Sequence, residues 1–88
     1  MSRQCLINDK ASQICWLYLH GEFDEKTNID ISDIAHKNID KRFAIPMVFE
    51  IAYRIGYAKS ELMQYMSETT YKRKKMQIRE KLVETVKL

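Results

Sequence analysis

Apolar residues in the first quarter of the chain return at helical steps. Ile7, Ala11, Ile14, Cys15, Tyr18 and Leu19 recur every three or four residues between Ile7 and His20, which gathers them on one side of an α-helix. Asn8 or Asp9 offers its first turn a cap, and Gly21 supplies the left-handed residue that would stop it. Residues 22–30 are polar and acidic, with Phe23 and Ile29 their only apolar members. They read as a loop that pins one ring to the core, with a short strand as the alternative. Ser32 is placed to cap a short second helix, with Asp33 against its dipole and Ile34, Ala35, Ile39 and Phe43 toward one side. Pro46 suits the first turn of a third helix, which Val48, Phe49, Ile51, Ala52 and Ile55 continue until Gly56 ends it. Leu62, Met63 and Met66 give residues 59–66 helical spacing, and Ser67 followed by Glu68 opens a long last helix reaching about Val86. The pattern predicts an all-α fold, a small bundle of about five helices.

Composition agrees. Among 88 residues 45% are hydrophobic and 31% charged, with only 2 Gly and 1 Pro. That is too apolar for a disordered tail and too poor in turn formers for a β-sandwich. One domain over residues 1–88 is expected, and a core this small leaves room for stabilisation by dimerisation. The net charge of +3 is unevenly spread: residues 1–50 hold 6 Lys or Arg against 8 Asp or Glu, residues 51–88 hold 9 against 4. The second half is therefore the end that would face a polyanion, although a basic helix can also serve solubility alone.

Two overlapping stretches within about 46–86 have helix-turn-helix spacing. In the first, Ala52 lets two helices approach, Gly56 takes the turn and Leu62 seats the second helix, so that Lys59, Ser60 and Gln64 face a groove. In the second, residues 62–66 form the supporting helix and Ser67 caps the reading helix. At about 100° per residue, Tyr71, Lys75, Ile78 and Leu82 fall within about 60° of one another, and Thr69, Thr70, Arg73 and Gln77 lie on the far side. That far side carries the groups base reading uses: Arg for guanine O6 and N7, Gln for adenine N6 and N7, Thr for a hydrogen bond or a thymine methyl. Lys72, Lys74 and Lys81 flank it for phosphates, and the N–H groups after Ser67 can receive a phosphate oxygen.

Ser67-Glu68-Thr69-Thr70-Tyr71, with Arg73, Lys75, Ile78 and Glu80-Lys81-Leu82, resembles the last helix of phage-encoded late transcriptional regulators of the ArpU and RinA type. The resemblance covers residues of about 51–83. It implies a helix-turn-helix akin to the promoter-reading region of sigma factors, encoded by a phage or other mobile element. It also admits RNA polymerase or a regulator protein as a partner. The chain departs from the family where an Ile-Ala pair and a Gly-apolar turn usually precede the Ser, since Tyr65-Met66 stands there instead. Both overlapping readings therefore stay open.

The expectation is a small sequence-specific regulator that binds double-stranded DNA, as a monomer or as a homodimer on two half-sites. Its alternative is a phage- or island-encoded interaction factor that modulates a regulator without touching DNA, motivated by the acidic first half and the aromatics of the first helix. RNA is a third candidate for the basic helix. No nucleophile–base pair, Gly-rich phosphate loop or metal-ligand spacing suggests an enzyme, a metal or a cofactor, and Cys5, Cys15, His20 and His36 match no zinc pattern. Cys15, Tyr71, Ile78 and Leu82 read as packing residues, the methionines as core fillers, His20 as a helix-dipole partner and His36 as solvated. Without an apolar leader or an 18-residue apolar stretch, the sequence reads as cytoplasmic and off the membrane.

Overall fold

A computed structural model of the chain describes residues 2–56 and 64–88. Those residues form four helices: α1 (Arg3–Leu19), α2 (Glu25–Asn38), α3 (Lys41–Tyr53) and α4 (Glu68–Thr85). They contain no strand. The helix expected over 59–66 lies mostly outside the described residues, and with it Lys59, Ser60 and Leu62.

Three helix starts differ from the sequence reading, each because an earlier capping residue prevails. Ser2 begins α1, its Oγ accepting from the Cys5 amide at 3.2 Å. Asn8 is engaged further along α1, accepting from Gln4 Nε2 at 2.9 Å, while Asp9 pairs with Arg54. Asp24 begins α2 by accepting from the Thr27 amide at 2.8 Å, which converts most of the expected loop into helix and leaves Ser32 inside it. Ile31 is fully buried there, and the exposed Ile29 is what obscured the spacing. Phe23 does pack its ring against the core from the preceding link. Asp40 begins α3, so Pro46 stands inside the helix and not in its first turn. A mid-helix proline forgoes one backbone hydrogen bond at roughly 3 kcal/mol. Burial of Phe43, Ala44, Met47, Val48 and Ile51 on both sides of it offsets that loss.

The ends are mixed. Gly21 takes the expected left-handed conformation, φ +69°, immediately after α1. The third helix stops at Tyr53, earlier than Gly56, because Arg54 itself turns left-handed at φ 57°. Ser67 caps α4 as expected, accepting from the Thr70 amide at 3.2 Å, and the helix ends with Val86 as its cap.

One core draws on all four helices: Ile14 and Cys15 from α1, Ile31 and Ile34 from α2, Met47 and Ile51 from α3, and Ile78 and Leu82 from α4. Between them α1 packs chiefly on α3 and α4, and α2 on α4 and α3, while α3 and α4 touch little and α1 and α2 less still. Side chains close exposed carbonyl ends across these contacts. Ser12 Oγ donates to the Ala52 carbonyl at 2.8 Å and Lys74 Nζ to the Asn38 carbonyl at 3.1 Å, tying α1 to α3 and α4 to α2. Among the described residues, no helix is long and apolar enough to cross a membrane.

Candidate nucleic-acid interface

The inward side of α4 is the one its periodicity selects. Tyr71, Ile78 and Leu82 are buried, and Lys75 shares their side with its ammonium turned into the fold. Thr69, Arg73 and Gln77 are exposed on the opposite side, as the wheel requires. Met76, Glu80 and Glu84 share that outer side and are exposed too. The two carboxylates confine the side of α4 that suits a polyanion to the residues before Glu80.

The remaining sequence-derived candidates divide by their engagements. Thr70 is half-buried, and its Oγ1 accepts from Ser67 Oγ at 3.0 Å, so its hydroxyl belongs to the cap. Lys72 is exposed and pairs with Glu68 at 3.4 Å one turn back, a surface pair worth at most about 1 kcal/mol and easily exchanged for another anion. Lys74 is half-buried on the Asn38 carbonyl, where a cation complements the end of α2. Lys81 lies 3.9 Å from Glu84, and Gln64 is exposed beside Tyr65. Arg42 stacks near Tyr65, 4.9 Å from the ring centroid, while pairing with Asp40.

Beside this face lies a cluster that sequence reasoning missed. Glu50 of α3 is only 2% exposed, and its Oε1 accepts from the Tyr71 hydroxyl and, at 2.9 Å, from Lys75 Nζ. Its Oε2 is buried without a hydrogen-bond partner among the described residues. Arg79, one turn beyond Lys75, is half-buried with its Nε also unpartnered. Burial pulls the Arg79 guanidinium below the ordinary arginine value; the Glu50 charge opposes that pull and the Arg54 charge adds to it. Arg54 reaches back to Asp9 of α1. A signal was present in the sequence: Glu50 stands alone in an apolar run, and the wheel put Lys75 on the packing side, where a lysine needs a buried acid.

Burial pushes the Cys15 thiol up to about 12, which keeps it protonated at neutral pH. His20 stacks on Trp16 at 3.8 Å and its Nδ1 lies 2.8 Å from the Trp16 carbonyl at the end of α1. His36 is exposed, its Nδ1 2.7 Å from the Ser32 carbonyl. Among the described residues, no three His, Cys, Asp or Glu side chains converge as metal ligands. No family model, curated protein or solved structure matches the chain.

Proposed function

We propose that the protein binds duplex DNA by laying the stretch of α4 before Glu80 in the major groove. The observation that carries this reading is the exposure of Thr69, Arg73 and Gln77 together on a capped helix whose opposite side is core. Arg73 reads guanine, Gln77 adenine and Thr69 a thymine methyl or acceptor, while Lys72 exchanges Glu68 for a phosphate. Lys74 contributes by fixing α4 on α2 and not as a phosphate ligand, because its ammonium is already committed. The resemblance of residues 67–82 to late phage regulators supports the same reading, and with it a helix-turn-helix in which α4 is the second member.

Selection from a random duplex library, followed by titration at two salt concentrations, tests it. The expected outcome is affinity that falls with salt, with Arg73→Ala lowering discrimination between selected and random duplex by about 1–3 kcal/mol. Lys72→Ala weakens both duplexes alike. No duplex binding at low salt would overturn the reading and favour a protein-interaction factor.

A further inference from the structure

A cleft of about 360 Å³ opens between α1, the end of α3 and the flank of α4. Among the described residues, four cations from two separate segments line it: Arg54 after α3, and Lys72, Lys75 and Arg79 on α4. Among the described residues, Glu50 is the one carboxylate that lines it. Lys75 answers Glu50, Asp9 answers Arg54 and Glu68 answers Lys72, but Arg79 forms no ion pair among the described residues. We propose that this cleft is a phosphate-binding subsite, with Arg79 and Arg54 as its principal ligands and Lys72 at its rim.

Three observations point to an oxyanion. The Arg79 Nε–H is a buried donor without an acceptor among the described residues, a state an oxyanion would relieve. Arg54 and Arg79 are close enough for like-charge repulsion, which an anion between them converts to attraction. Arg54 is held left-handed, φ 57°, a conformation that residues other than glycine rarely adopt. That turn accompanies the placement of its guanidinium on the cleft, against α1. Guanidinium groups suit phosphate because two parallel N–H donors match two oxygens.

The position of the cleft names the source. Lys72, Lys75 and Arg79 lie roughly 120° around α4 from the centre of the Thr69, Arg73 and Gln77 face. A helix whose outer side enters the major groove turns such a flank toward one strand's backbone. The subsite therefore takes a backbone phosphate, an assignment of source that rests on the DNA-binding reading, whereas the phosphate chemistry does not.

Nitrogen-15 NMR of the full chain, following the Arg79 Nε–H signal, separates the two. Inorganic phosphate is expected to shift that signal beyond a chloride control of equal ionic strength, and Arg54→Gln, at an exposed position, to weaken the response severalfold in a folded protein. With random duplex, the same signal moves, and Arg54→Gln or Arg79→Gln lowers the dependence of log affinity on log salt by about one unit. A phosphate response without a duplex response supports the subsite and assigns it to free phosphate, so that only the DNA reading fails. Duplex binding that leaves Arg79 Nε–H and the salt dependence unchanged, with no phosphate response, would overturn the subsite and spare the DNA reading. No response to either probe would overturn it as well.

Discussion

Glu50 sets the local electrostatics of α4 from inside the fold. A carboxylate only 2% exposed requires compensation, and Lys75 with the Tyr71 hydroxyl supplies it across the α3–α4 contact. Removing Lys75 alone strands a buried charge, so Lys75→Met is expected to lose about 3–5 kcal/mol in urea unfolding. Glu50→Gln combined with Lys75→Met should recover much of that loss, because no charge is then left unpaired. Additive losses in the double variant would contradict the coupling. Of the candidate residues, Thr69, Arg73 and Gln77 were legible in the sequence because a single periodic helix decides which of its sides is bare. The Glu50 cluster was not, since nothing in a linear pattern says that the inward lysine of one helix meets the lone acid of another 25 residues away. The engagement of Lys74 was hidden for a related reason: its spacing is that of a flanking phosphate ligand, and no linear pattern shows that the end of α2 lies within its reach.

At the scale of the element, capping decides where each helix starts. Ser67 illustrates the legible case, with a serine cap, an acid in the first turn and an uninterrupted packing side behind it. Ser67→Ala is expected to destabilise the protein by about 1 kcal/mol, lowering Tm by about 4–8 °C, whereas Ser67→Asp keeps the cap and the stability. An unchanged melting temperature in the alanine variant would show the cap to be idle. The starts of α2 and α3 were hidden by rival signals downstream, Ser32 in one and Pro46 in the other. In both, burial of residues preceding the false start settled the boundary: Ile31 before Ser32, and Phe43 and Ala44 before Pro46. The left-handed Arg54 had no readable signal, since glycine two residues later is the usual occupant of such a turn.

The caps of α2 and α3 also give stability a pH dependence. Hydrogen bonds from the Thr27 side chain and amide hold the Asp24 carboxyl below its usual range, and the Arg42 amide and side chain do the same for Asp40. A carboxylate with a depressed value in the folded state stabilises above its unfolded value and loses that contribution as pH falls through the folded one. Both groups are exposed, and solvent keeps the effect small. In thermal melts, the advantage of wild type over a D24N/D40N variant is expected at neutral pH and should fade as pH drops below the usual carboxylate range, about pH 4. An advantage that persists unchanged into strong acid would mean that the cap charges do not contribute.

For the whole molecule, the core joins every helix and α4 is seated on α1 and α2, so the outer side of α4 is presented by a packed scaffold. Most of the basic residues after residue 50 fall on that presented helix, whereas the acidic residues of the first half distribute over α1, α2, α3 and their links. Leu6 and Trp16 are exposed along α1, where a protein-interaction factor would place its partner. The two readings therefore assign contact to different faces of one rigid arrangement. Amide chemical-shift mapping of the labelled full chain with its selected duplex distinguishes them most directly. The expected result is perturbation concentrated at Thr69, Arg73 and Gln77, with little change along the exposed side of α1. Perturbation confined to Leu6, Trp16 and their neighbours, or none on α4, would contradict a duplex-reading role for the last helix.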